Sequence, residues 1–455
     1  MPEVRRGVAH QSADEGHRGG QGGTPEGSAP RVSSHTLTGG VVCDLVDGTV
    51  EPRDLHISDG RIGGDGGETV DVSGCLVTGG FVCAHHHLYS ALARGMPGPG
   101  DAPRNFLEIL ERVWWRLDRA LDPETISLSA QIGALESALA GTTTIVDHHA
   151  SPESIEGSLD GIAEGIAGAG MRGVVCYEVT DRHGTERGSA GVAENARFIE
   201  ANDRPLIKGM MGAHASFTIG DQTMDEMVTV ARNLGVPLHI HVAEDASDET
   251  DSIEKYGLRT AHRLSERGAL AEGDLIAHGV HLDESEIQSV RTSGVFVAHN
   301  PRSNMNNGVG YAPVAALGQR VALGTDGIDG DMLAEAKACY LKAREASWEA
   351  GVGFPIERLV QGQVLAGSMF GEPAMGRLSA GAPADLCVLD YGAPTPFDAG
   401  NVAGHLIFGR PRVRDVMVGG RWIVRDGKHT EIGEEELRAK CREAAPKLWS
   451  RMEEY

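Results

Sequence analysis

Residues 77–87 read VTGGFVCAHHH, an apolar run that ends on three histidines. Seven later runs share its shape: TTTIVDHH (142–149), RGVVCYEVTD (172–181), LIKGMMGAH (206–214), VPLHIHVAE (236–244), DLIAHGV (274–280), GVFVAHN (294–300) and RVALGTDG (320–327). Each is apolar in its body and polar at its end, and segments long enough for a helix separate them. Near-continuous apolar strands alternating with helices mean buried parallel strands.

Eight such units across about 250 residues predict an α/β fold, a (β/α)8 TIM barrel. In that architecture the C-terminal ends of all strands meet at one face, where active sites lie. The polar residues at those ends are, in order, His85 and His87; Asp147, His148 and His149; Glu178 and Asp181; His214; His241 and Glu244; His278; His299 and Asn300; and Asp326. Thirteen of the 19 histidines lie between 85 and 299, most of them at strand ends. Chance placement would not favour one end of every strand.

Outside this core the pattern changes. Residues 1–35 are polar, rich in Gly, Ser and His, and expected to be disordered. Short β-like runs lie before Val77 (VVCDL, DLHIS) and again after the barrel (ADLCVLD, VRDVMVGG, RWIVRDG). Their similar length and spacing predict one small β-sandwich domain built from both chain ends, 36–76 and 371–430, beside a barrel at 77–370. The final segment, 431–455, reads as a helix.

The formal net charge of −24 argues against a nucleic-acid or anionic-membrane binder, which would carry a basic patch. No stretch approaches the roughly 18 apolar residues of a membrane helix, and the N-terminus lacks the apolar region of a secretory signal. Seven cysteines, an odd number with no CxxC, suggest neither a disulfide framework nor a thiolate zinc site. A cytoplasmic protein is expected, acting on a small molecule as a homo-oligomer, a dimer or larger.

A strand puts residues i and i+2 on one face, so His85 and His87 point together while His86 points away. Two imidazoles at the barrel mouth form half a metal site. His239 and His241 repeat the spacing; His241 is nearer the strand end and the better ligand, whereas His239 reads as a hydrogen-bonded histidine one layer deeper. Asp326 ends an apolar run, and a buried carboxylate needs a cation or strong donors. His85, His87, His241 and Asp326 together suit one divalent metal ion per subunit, Zn²⁺ or alternatively Fe²⁺.

With these residues in place, HHH, HVAE, AHGV, HNPRSN and GTDG resemble the cytosine-deaminase and chlorohydrolase branch of the amidohydrolase superfamily. The resemblance runs from about residue 37 to the terminal helix and includes GRLSAGAPADLCVLD. AHHHLYSALARG, WWRLDRALD, VDHHASP, GAHASF and RSNMNNGVGY are similar to the SsnA-type aminohydrolases, and AHHHLY also resembles the 8-oxoguanine deaminases.

The resemblance implies the same four metal ligands, with Asp326 also taking the water's proton. It makes Glu244 the proton shuttle and gives His278 a hydrogen bond to the attacked carbon's substituent or to the metal-bound water. It places His214 in the substrate pocket. Where relatives carry a substrate-contacting Glu in W-P-L-E, this chain reads W-R-L-D, so Asp118 is the nearest match. Binuclear relatives use a carboxylated lysine at the end of strand four; here that end carries His214, and Lys208 lies six residues earlier, which implies a single metal.

The expected reaction is hydrolytic deamination of an aminated N-heterocycle, such as a purine, pterin, pyrimidine or triazine, by metal-hydroxide attack. Alternatives are dechlorination or N-dealkylation at the same site and, remotely, a non-catalytic scaffold. Tyr89, Trp115, Asp118, His149, His214 and Asn304 are the candidate substrate contacts. Trp114 and Trp115 could stack on a planar ring or pack between helix and barrel.

Overall fold

The computed structural model describes residues 33–98 and 100–455. The expected disorder of 1–35 falls almost wholly outside these residues; His35 already opens a strand, His35–Thr38.

The eight apolar runs form two parallel sheets. One orders Ile207–Gly209, Arg172–Tyr177, Thr142–His149 and Phe81–His86; the other orders Met211–Ala215, Leu238–Val242, Leu275–His278, Phe296–His299 and Val321–Leu323. The fourth run is thus divided between the sheets at Met210, whose N–H donates to the Val175 carbonyl at 3.0 Å. Two parallel bridges, His86 with Asp326 and Val179 with Ala213, link the edges of the sheets. At the first edge the N–H groups of Thr325 and Asp326 donate to the His85 carbonyl at 2.9 and 3.0 Å.

The strands are apolar on both faces because both are covered. Ala84, Val146, Val174, Cys176, Leu275, Ala277, Ala298 and Ala322 share one apolar cluster, while their neighbours Ile145 and Val175, or Ile276 and Val297, belong to the layers packed on helices. Small residues dominate the inner cluster, which leaves room for the imidazoles above it. Gly324 is needed for a close approach: a Cβ there would sit 2.4 Å from Asn300 Oδ1 and 2.8 Å from His85 Cβ.

The run read from Val77 as one strand is two. Cys75–Gly79 pairs with Leu386–Asp390 and Val41–Asp44, and the parallel strand begins only at Phe81, after Gly80. A seven-stranded sheet therefore draws on both chain ends, and a four-stranded sheet, Arg61–Ile62, Leu55–Ser58, His35–Thr38 and Glu68–Asp71, uses the N-terminal end alone. Leu37, Leu55 and Ile57 from the smaller sheet share an apolar cluster with Val42, Val77, Val388 and Met417 from the larger. The buried Arg172–Asp385 ion pair ties the parallel strands to this region. The last helix is Glu434–Met452. Among the described residues no helix is long and apolar enough to cross a membrane, and all seven cysteines are buried and free.

Candidate metal centre and active site

Imidazoles and carboxylates crowd the C-terminal ends of the parallel strands, His85, His87, His241 and His278 with Glu244 and Asp326 among them. His87 Nδ1 lies 2.6 Å from the His148 carbonyl oxygen, and His241 Nδ1 lies 2.7 Å from that of His214. A carbonyl oxygen only accepts, so both Nδ1 atoms carry a proton and, in the neutral rings, both Nε2 atoms present lone pairs. Those two Nε2 atoms face each other at 3.2 Å. His278 follows the same rule, with Nδ1 2.8 Å from Asn304 Oδ1. His85 directs Nδ1 at His239 Nε2, 3.0 Å away, and its own Nε2 is buried with no hydrogen-bond partner.

Asp326 completes the group. Its Oδ1 is 3.1 Å from His87 Nε2 and 3.7 Å from His85 Nε2, and its Oδ2 is 3.8 Å from His278 Nε2. Opposed lone pairs and a buried orphan nitrogen beside a carboxylate are costly unless a proton or a cation lies between them. Three or four imidazoles with one carboxylate suit a divalent transition-metal ion. Among the described residues three sets of donors fall within 4.8 Å of one another: His85, His241, His278 and Asp326; His85, His87, His148 and His241; and, one layer deeper, His148, Cys176 and His239. The first two share His85 and His241.

The electrostatics follow from burial and crowding. Burial lowers His85 and His241 well below the ordinary imidazole range, and the neighbouring rings add to this. Burial opposes charge on His87 too, but the hydrogen bond and charge of Asp326, with Glu178 and Asp147, outweigh it and raise His87 to about 9. Burial pushes the Asp326 carboxyl up, yet His87, His278 and His241 hold it well below the usual carboxylate range. Glu244 is pushed up to about 7, mainly by burial and further by Asp326, against the pull of His278. Its Oε2 lies 3.5 Å from His278 Nε2, and its Oε1 accepts from Asn307 Nδ2 at 3.3 Å. His278 and Asp326 both adopt left-handed backbone, φ 74° and 53°. Such strain costs about 1–3 kcal/mol per residue and persists mainly where function holds it.

A cavity of about 290 Å³ opens over the cluster. His87, His241, Glu244 and Asp326 form one end; Phe106, Leu110, Trp114, Trp115, Phe217 and Ile328 give it apolar walls; Tyr89, Asp118, Glu178 and His214 close the polar side. Asp118 is buried, bound to Arg182 at 2.9 Å, and pushed up to about 6 by burial against that cation.

Residues 76–423 match the amidohydrolase family over most of the chain. The chain belongs to the amidohydrolase family. A 5-methylthioadenosine/S-adenosylhomocysteine deaminase of Natronomonas pharaonis is 31% identical over 441 residues, 93% of this chain and 100% of that one. A 5'-deoxyadenosine deaminase of Methanopyrus kandleri is 29% identical over 386 residues, 82% of this chain and 87% of that one. Among solved structures, a zinc-bound adenosine deaminase from Xanthomonas campestris superposes with a TM-score of 0.80 at 22% identity, covering 93% of this chain and 100% of the other. An atrazine chlorohydrolase from Arthrobacter aurescens in complex with zinc gives 0.77 at 22% identity, covering 90% and 100%.

In this amidohydrolase the structure brings together His85, His87, His241, His278, Glu244 and Asp326 as the sequence suggested. His86 turns away, to the Asp326 carbonyl and Thr325. Tyr89, Trp115, Asp118 and His214 line the cavity. Two expected substrate contacts lie elsewhere. His149 is not among the lining residues; on an extended strand it faces opposite to His148, and its Nε2 bonds Ser151 Oγ at 2.9 Å behind Tyr89. Asn304 is taken up orienting His278. Trp114 satisfies both readings of the tryptophan pair: it lines the cavity and packs on the two large apolar clusters.

The sequence reading missed Ser303, which donates to Asp326 Oδ2, and Asn307 on Glu244. Both lie on the helix Pro301–Asn307, four residues apart and so on one face; that spacing was the available signal. His148 was noted only as a strand end, yet both its ring nitrogens are buried and unpartnered. Lys208 is exposed on its strand, remote in character from these buried donors.

Proposed function

We propose that this amidohydrolase is a metal-dependent aminohydrolase that converts an aminated N-heterocycle and water to the corresponding oxo compound and ammonia. The observation that carries the reading is the placement of Glu244. It is a carboxyl held near neutrality, beside His278 and across from Asp326, at the floor of a cavity with flat aromatic walls. The adenosine-type substrates named for the curated relatives put aminopurines first among the candidates.

His85, His87, His241 and Asp326 would hold one divalent ion, Zn²⁺ in preference to Fe²⁺. Such an ion supplies Lewis acidity, making water acidic enough to attack at neutral pH. Asp326, an ionised carboxylate, takes a proton from the attacking water. Glu244, a carboxyl able to exist in both protonation states near pH 7, gives a proton to the ring nitrogen beside the attacked carbon. His278 keeps Nε2 toward that centre because Asn304 occupies its Nδ1. A proton then passes to the amine, the C–N bond breaks, and ammonia leaves. Trp114, Trp115 and Phe217 provide faces for a planar ring.

We infer further that the two parallel sheets form one closed (β/α)8 barrel that begins at Phe81 rather than Val77 and runs to about residue 370. The bridges at both edges support this. The shared apolar cluster, which includes Val77, supports a β-sandwich assembled from 35–79 and 371–430.

The test is a screen of zinc-loaded protein against aminopurines, aminopterins, aminopyrimidines and aminotriazines, with ammonia release as readout, and chloro-analogues with chloride release. Ammonia from at least one amino compound is expected. Chloride release alone, or neither product, refutes the assignment.

A further inference from the structure

Three of the inward-facing imidazoles have their tautomer set by an oxygen that can only accept from Nδ1–H: the carbonyl of His148 for His87, that of His214 for His241, and Asn304 Oδ1 for His278. Of the four imidazoles nearest the Asp326 carboxylate, His85 alone has no such acceptor. Its Nδ1 meets another imidazole, His239, at 3.0 Å. An imidazole either donates or accepts, so this contact leaves the direction of the bond open. If His239 Nε2 carried the hydrogen, His85 would be protonated on Nε2 and could not offer that atom to a metal.

Behind His239 the structure continues. His239 Nδ1 is 3.8 Å from Cys176 Sγ, and Cys176 Sγ is 3.5 Å from the Asp147 carbonyl oxygen. The carbonyl accepts, so the thiol donates its hydrogen there and keeps a sulfur lone pair toward His239. His239 Nδ1–H then donates to sulfur, His239 Nε2 is left as an acceptor, and His85 Nδ1–H donates to it. All three side chains are fully buried, with no water-facing route to another arrangement. Burial also raises the Cys176 thiol well above its ordinary range, helped by Asp147 and Glu178, which keeps the S–H in place.

We propose that His239 and Cys176 are positioning residues: a one-way hydrogen-bond chain, Asp147 carbonyl–Cys176–His239–His85, locks His85 in the tautomer that leaves Nε2 free for the metal. The inference rests on the reading of His85 as a ligand. It assigns work to a histidine and a cysteine that touch neither substrate nor ion. The orientation of a metal-bound imidazole by the partner of its other nitrogen is general, and losing such a partner costs about 10–100-fold in metal affinity.

The experiment is zinc affinity by competition with a chromogenic chelator, for wild type, His239→Leu and His239→Gln, with melting temperature as a check on folding. Glutamine can accept from His85 Nδ1–H through its amide oxygen and donate to Cys176 through its NH₂; leucine fills space but does neither. His239→Leu should bind zinc about 10–100-fold more weakly while His239→Gln stays close to wild type. Equal affinity in His239→Leu and wild type overturns the proposal, and so does an equal loss in both variants, since that marks a space-filling role.

Where His239→Leu fails to fold, Cys176→Val and Cys176→Ser decide. Serine keeps a donor and an acceptor and should retain affinity. Valine should weaken it several-fold, and a valine variant equal to wild type refutes the chain. Failure of the wild type itself to bind zinc removes the metal site rather than the relay, so the two failures are distinct.

Discussion

Replacing Glu244 by Gln deletes one exchangeable proton and one negative charge while conserving volume, so it isolates the shuttle from the architecture. None of the three donor sets includes Glu244, and its nearest ionisable neighbours are His278 at 3.5 Å and Asp326. Zinc stoichiometry should therefore be unchanged. The amide can still meet Asn307, which removes a structural cost. What disappears is proton transfer to the ring nitrogen, worth typically about 10²–10⁴-fold. At about 1.4 kcal/mol per tenfold, that is about 3–5.5 kcal/mol of barrier. The assay is steady-state ammonia release on the best substrate of the screen, with metal content measured on the same preparation. A fall of about 10²–10⁴-fold in kcat at full zinc occupancy is expected. Loss of zinc would show Glu244 to be a ligand, and retention of more than a tenth of the wild-type kcat would refute its place in the mechanism.

Chelation should abolish turnover and lower the melting temperature, with recovery on adding Zn²⁺; at a free ion concentration of about 100 Kd the stabilisation is about 2.7 kcal/mol. His214→Ala should reduce kcat/KM with zinc intact, whereas His149→Ala, which removes a side chain outside the cavity lining, should leave KM nearly unchanged. Asp385→Ala strands the buried Arg172 guanidinium and should cost about 3–5 kcal/mol by calorimetry. Burial raises Asp248 to about 8, so the folded state binds its proton more tightly than the unfolded chain does. That group makes stability fall as pH rises from about 4 to about 8, and Asp248→Asn, which can still accept from the Ala243 N–H, should flatten the dependence.

The parts of this amidohydrolase legible in the sequence are those where chemistry sits at the end of an apolar strand. His85, His87, His241 and Asp326 could be read because a period of two, or the end of a run, fixes where a side chain emerges. The same rule, followed further, would have excluded His149: next to His148, it had to face the other way. The division of the fourth strand at Met210 could not be read, since LIKGMMGAH is continuous in composition and only pairing with two different neighbours separates it. Nor could Asn304 be told from a substrate contact. An amide near a strand-end histidine serves either purpose, and only the 2.8 Å bond to His278 decides. His239 shows why the second layer resists sequence reading. Its period placed it correctly below His241, but its consequence depends on partners from other strands, His85 and Cys176, that no spacing within one strand encodes. A candidate ligand set can thus be read along the chain, while the protons that would make it one are arranged across it.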